Sequence, residues 1–375
     1  MYPYLILFII TLLAVIQYDL GGHKGYRRIV WYFLFIYVIL LIGLRYKVGV
    51  DTLNYMDYYS YLPDLFTIKS DDWSYFAYQP LYLLLCALSR SISGDFVWFQ
   101  LIHTIILNLC VFYFISKNTK YKFTGLLVYF YMYFLYFNTE ILKESLAVCV
   151  FMLNYKNIED KKWLKYYFGV FVSLLFHLSA IILIFYPLIK IMRFGWRYFI
   201  AVGFFLVIIV NIGPYLTLLE NFEKVGDKAN TYISFNEIGA MNMNWVILNL
   251  MQLTFFPMIV LFFQKYILKE DVKFESLVCM HALLGIGVAF YQIIFSRFTN
   301  YTMPFYALFL VNFFYSVHFK TQFRKLALIA CISLWLFLYG YYYMGGNNYF
   351  RMYQAWIPYS TIFDPIEVPI RDEIL

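Results

Sequence analysis

Apolar residues run along this chain in blocks of roughly 12–20 positions, broken by short clusters that carry the lysines, arginines and asparagines. The blocks are apolar on all sides and show no single stripe, which predicts helices surrounded by lipid or protein rather than half-wetted ones. They fall at 2–17, 29–44, 96–115, 123–137, 140–155, 165–176, 178–189, 199–218, 245–263, 274–295, 301–317 and 326–343. The pattern predicts an all-α, polytopic integral membrane protein with about 12 transmembrane helices in a single domain over 1–375. Tyr2 to Tyr18 has no basic residue before it and no small-residue cleavage site after it, so it reads as a retained first span. Pro80 to Leu88 is too brief to span and reads as a re-entrant or interfacial segment. The short runs on either side of His177 predict a hairpin whose tip stays inside the outer leaflet.

Composition agrees with this pattern. Hydrophobic residues make up 63% of the 375 positions and charged ones 14%, where an ordinary soluble domain carries about 25%. The net charge of +7 raises the question of a nucleic-acid partner. The distribution answers it: most basic residues sit in the short loops, as in Lys24-Gly-Tyr-Arg27-Arg28, Lys117 to Lys122 and Lys156 to Lys165, which is the positive-inside pattern. With those loops inside, the longer segments 45–95, 220–244 and 344–375 face outward, where a binding site is most readily built. The five cysteines, Cys86, Cys110, Cys149, Cys279 and Cys331, stand singly in apolar surroundings and read as inert packing residues. No carboxylate, histidine or cysteine spacing predicts a metal site, and Asp71-Asp72 is an adjacent pair rather than a ligand set. No cofactor motif is present. Gly285-Ile-Gly287 reads as a place where helices approach closely.

The polar residues that need explaining gather on the outward side. Gly43-Leu-Arg-Tyr-Lys-Val-Gly-Val-Asp-Thr-Leu-Asn-Tyr55 puts Arg45, Lys47, Asp51 and Asn54 where the second span ends. Arg45 either snorkels and pairs with Asp51, or offers its planar fork to a phosphate while Asp51 orients it or a sugar hydroxyl. Tyr55, Tyr58 and Tyr59 follow in the same tyrosine-rich segment. Asn138-Thr-Glu-Ile-Leu-Lys143 opens the fifth span, with Thr139 as its expected cap and Lys143 either paired with Glu140 or facing an anion. His177 is either a satisfied packing histidine or a general base, and Arg297 a lone cation in a loop between two apolar spans. His103 and His281 are expected to bond helix to helix, with Arg90 and His318 at interfaces.

Four segments, in this order, carry a resemblance: Gly43 to Asp51 with Asn54-Tyr55, Phe176-His-Leu-Ser179, Ser296-Arg-Phe-Thr-Asn-Tyr301, and Trp356-Ile-Pro-Tyr-Ser-Thr-Ile-Phe363. The chain resembles the EpsG family of Wzy-type polysaccharide repeat-unit polymerases. It departs from that pattern at Leu142-Lys143-Glu144, where the family has an arginine followed by glutamine. The resemblance implies a metal-independent, GT-C-like membrane glycosyltransferase of the bacterial cytoplasmic membrane, with its site toward the periplasm or cell exterior. Its donor and acceptor would be undecaprenyl-diphosphate-linked glycans, and its partners the bilayer, a chain-length regulator and a flippase. Arg45, Arg297 and Lys143 would bind diphosphate, His177 or Asp51 would act as base, and Asn54, Tyr55, Tyr58 and Tyr59 would bind sugar, the three tyrosines as a stacking wall. A flippase or transporter would instead spread polar residues through the midplane and show a repeat. A glycan ligase, or a non-catalytic assembly protein, shares the same composition.

Overall fold

The computed structural model describes residues 2–69, 79–189, 193–211, 243–317, 322–327, 330–331, 352–369 and 371. Asp71, Asp72, His318 and most of 220–244 and 326–351 lie outside these residues. The architecture is all-α, and the chain divides into two compact units. Unit 1 comprises Met1–Asn157, Leu164–Leu178 and His318–Leu375; unit 2 comprises Ile158–Trp163 and Ser179–Val317.

Unit 1 begins with α1 (Tyr2–Ala14), which continues through a π-helical turn to Leu20, and α2 (Arg27–Gly43). Then come α3 (Thr52–Ser60), α4 (Pro80–Ile92), α5 (Phe96–Asn118), α6 (Lys122–Met132), α7 (Leu142–Asn154) and α8 (Trp163–Phe176). α5 is the axis of the unit and packs against α2, α4 and α7. Its apolar burial is supplemented by polar contacts that fit a low-dielectric interior: His103 Nε2 lies 2.9 Å from the Leu142 carbonyl, and Asn108 bonds across to Asn138. α8 reaches α7 where Asn154 donates to the Tyr166 carbonyl at 2.8 Å and Ser173 donates to Ala147. Gly169 makes that approach possible, because a Cβ there would collide with the Asn154 amide.

Unit 2 holds α9 (Trp196–Asn211), α10 (Met243–Asn249) extended through two π-helical turns around α11 (Phe256–Phe262), then α12 (Glu275–Phe290) and α13 (Gln292–Ser316). α12 is its centre, buried along nearly its whole length against α13. The Gly285–Gly287 pair sits at close approaches: a Cβ on Gly287 would strike the Phe295 ring, and one on Gly285 would strike Leu253 and Thr254. Here the structure corrects the boundaries read from the sequence. The break falls at Tyr291, and 292–316 is one continuous helix, so Arg297 stands inside helix and not in a loop. Thr299 and Thr302 turn their hydroxyls back on the carbonyls of Ser296 and Thr299, which lets polar residues stay helical in an apolar setting.

Among the described residues, Tyr2–Leu20, Phe96–Asn118 and Val246–Ile267 are long and apolar enough to cross a membrane, and several shorter apolar helices accompany them.

Candidate active site

The segment between α2 and α3 has no regular structure, so its amide and carbonyl groups need partners from elsewhere. Three side chains supply several of them. Arg45 is only 1% exposed. Its Nη1 donates to the Ile42 carbonyl at 2.8 Å and its Nε to Val48 at 3.1 Å, closing the segment on itself. Glu140 reaches in from the π-helical turn Tyr136–Glu140: its two carboxylate oxygens accept the Val50 and Asp51 N–H groups at 3.0 and 2.9 Å. Arg371 gives one N–H each to the carbonyls of Lys47, Gln354 and Pro358, at 3.0, 2.9 and 2.6 Å.

The third of those acceptors belongs to the Trp356–Phe363 segment, which lies alongside. Tyr46 N–H donates to the Ser360 carbonyl, Ile362 N–H to Leu44, and Gly49 N–H to Ala355, with an antiparallel bridge between Arg45 and Thr361. Trp356 Nε1 donates to Thr139 Oγ1 at 3.2 Å, and Lys47 pairs with Glu367 at 2.8 Å. Gly49 has φ +119°, and a Cβ there would stand 2.8 Å from Thr139 Cβ and 3.2 Å from Glu140 Oε1. Only glycine fits that position. The first and last of the resembling segments therefore form one structure, although some 300 residues separate them.

Several sequence readings change here. Arg45 is buried instead of snorkelling; two of its nitrogens are taken by main-chain carbonyls, and buried Nη2 has no hydrogen-bond partner. Burial pushes its pKa down to about 10, which still leaves it charged near neutrality. The Asp51 amide, at the start of α3, is held by Glu140. Thr139 is not a helix cap: α7 starts at Leu142 without a side-chain cap, and the Thr139 hydroxyl lies 2.8 Å from the Leu135 carbonyl and 2.6 Å from Glu140 Oε1. Tyr59 is core, 2% exposed, with its hydroxyl 2.9 Å from Ser89 Oγ, and contributes no wall.

Lys143 sits among aromatic faces. Its ammonium is 4.9 Å from the Tyr58 ring centroid, 5.0 Å from Tyr82 and 5.9 Å from Tyr55. Tyr55 also donates to the Glu140 carbonyl at 3.3 Å, so this cluster adjoins the Glu140-held loop. Asn54 is exposed on α3. Phe176 packs on the same apolar cluster as Tyr55, Tyr58 and Leu142, which brings His177, at the end of α8, to this end of unit 1. In unit 2, Arg297 is partly buried in the second turn of α13, and Tyr301 Oη lies 3.0 Å from Ser179 Oγ. His281 Nδ1 is 2.8 Å from Thr302 Oγ1 and its ring stacks on Tyr306, a helix-to-helix role.

Glu140, Tyr82 and Arg371 were not recognised from the sequence as site residues. Glu140 stands three positions before Lys143, and that spacing offered a ready ion pair in place of a loop anchor. A cleft of about 750 Å³ lies at the far end of α7, lined mainly by Val150, Leu153, Phe168 and Val172, and holds none of these groups. Among the described residues no three histidine, cysteine or acidic side chains stand together as a metal site.

The fold and the site define a helical protein with apolar helices of bilayer length and a polar, irregular loop pinned at one end of a helix bundle. The chain belongs to the EpsG family, whose sequence profile matches residues 28–361, and that family is linked to exopolysaccharide biosynthesis. The match takes in the first three resembling segments and reaches Thr361 in the fourth. No curated protein and no protein of solved structure matches the chain.

Proposed function

We propose that this protein is an integral membrane glycosyltransferase that polymerises undecaprenyl-diphosphate-linked repeat units on the extracytoplasmic face of the bacterial cytoplasmic membrane. The observation that carries this reading is the convergence, in a member of the EpsG family, of the Gly43–Tyr55 and Trp356–Phe363 segments on the Thr139-Glu140 turn, next to a lysine set among tyrosines. The acceptor's sugar hydroxyl attacks the anomeric carbon of the donor glycan. A carbon–oxygen glycosidic bond forms, the anomeric bond to the lipid diphosphate breaks, and the hydroxyl proton passes to Asp51 or His177. Negative charge grows on the departing diphosphate, and Lys143 offsets it. Arg45 adds a positive field from beneath the loop without touching the substrate. Tyr55, Tyr58 and Tyr82 supply ring faces for sugar, and Asn54 a hydrogen-bonding edge. A chain-length regulator and a flippase are the expected partners.

Incubation of the purified protein with a lipid-linked repeat unit tests the reading. A ladder of elongated products on a gel is expected. Absence of the ladder, or movement of the lipid across vesicles without elongation, overturns it.

A further inference from the structure

Glu140 takes no part in the bond changes just described, yet the motif loop is built on it. Two consecutive amides, Val50 and Asp51, point at the two oxygens of its carboxylate at 3.0 and 2.9 Å. That pair fixes the Val50–Asp51 peptide plane, and with it the direction in which Asp51 leaves the backbone. Glu140 is 7% exposed, and its turn is held in place from behind. Asn108 Nδ2 donates to Asn138 Oδ1 at 2.8 Å, Asn138 Nδ2 to Tyr129 Oη at 2.8 Å, and Tyr129 Oη to Asn108 Oδ1 at 3.0 Å, a closed ring of three buried side chains from α5, α6 and the π-helical turn. The remaining amide hydrogens of the two asparagines reach the Thr104 and Phe134 carbonyls. The residues of that ring have no freedom to rotate without leaving a buried donor or acceptor unmade.

We infer that Glu140 is a positioning residue for Asp51, acting through the Val50–Asp51 main chain, and that the Asn108–Tyr129–Asn138 ring sets the register of Glu140. The effect on turnover rests on the transferase reading; the effect on the loop does not. Glu140→Gln isolates the carboxylate, because a glutamine has one acceptor oxygen and turns its NH2 toward the second amide. Tyr129→Phe is the milder probe, removing one hydroxyl of the ring at nearly constant volume.

The test uses the full-length protein and two measurements. In hydrogen exchange, the Val50 and Asp51 amides of the Glu140→Gln protein should exchange about 10- to 100-fold faster than in wild type, with α2 and α5 unchanged. Tyr129→Phe should show the same signature at smaller size. Equal exchange at Val50 and Asp51 in both variants overturns the loop-holding role. In the elongation assay, folded Glu140→Gln protein should lose about 10- to 100-fold in kcat at unchanged KM, and Glu140→Asp should recover part of it. An active wild type beside an equally active Glu140→Gln protein overturns the positioning role. An inactive wild type overturns the transferase reading, and the exchange result alone then decides whether Glu140 holds the loop.

Discussion

Both units join helices through buried polar groups, as His103 and Leu142 do in unit 1, but they differ in a further use of such groups. In unit 2 they join one helix to another: His281 meets Thr302, Tyr198 donates to the Cys279 carbonyl, Thr254 to Ala282, and Lys265 pairs with Glu275. In unit 1 three buried charges, Arg45, Glu140 and Arg371, are directed at the main chain of an irregular segment. The difference follows from what each unit must satisfy. A helix carries its own hydrogen bonds, so its polar side chains need only find each other. A loop at the edge of an apolar bundle has none, and it persists only where side chains replace the missing ladder.

That comparison predicts an order of sensitivities. Arg45→Leu leaves the buried Ile42 carbonyl without its Arg45 donor and takes from Val48 one of two donors, the Thr52 hydroxyl being the other, and should cost about 3 kcal/mol, read as a lowered unfolding midpoint in detergent. Gly49→Ala should cost about 2 kcal/mol by the same measurement, since it combines a strained φ with a collision against Thr139. His281→Phe keeps the stack on Tyr306 and loses a single hydrogen bond to Thr302, for about 1 kcal/mol. If the unit 2 substitution costs as much as either loop substitution, the contrast between the units fails.

The smallest effect concerns pH. Hydrogen bonds from Lys47 and then Tyr46 hold the exposed Glu367 carboxyl below its usual 4.5. Its folded value is the depressed one, so its contribution is whole above that usual value and fades as pH falls through the lowered one. Limited proteolysis of the 352–371 segment should therefore increase in wild type only below about pH 4.5, whereas Glu367→Gln should lack this step.

How much of this was legible in the sequence depends on the range of the interaction. Apolar runs mark α2, α5 and α7 well, because the signal lies within each segment. The α12–α13 boundary was misplaced because Ser296 to Asn300 is polar enough to look like a loop, while the hydroxyls that keep it helical bond within the helix itself. Tyr59 was open to a better reading: Thr52, Tyr55 and Tyr59 share one face of α3, and that periodicity marks Tyr59 as inward. The Gly43–Asp51 segment stood out as polar, but nothing local indicates that Glu140 and Arg371 are what hold it. Lys143 gained most from the structure. In sequence it is a departure from the family's arginine, and in space it is the cation at the centre of three tyrosines.

The pairing of Tyr46 with Glu367, 321 positions apart, bears on how the protein is made. During synthesis the loop after α2 stays without Ser360, Ala355 and Arg371 until about 300 further residues have been translated. The loop is thus completed late, and a change that disturbs residues 352–371 would act at a site encoded about 300 codons upstream.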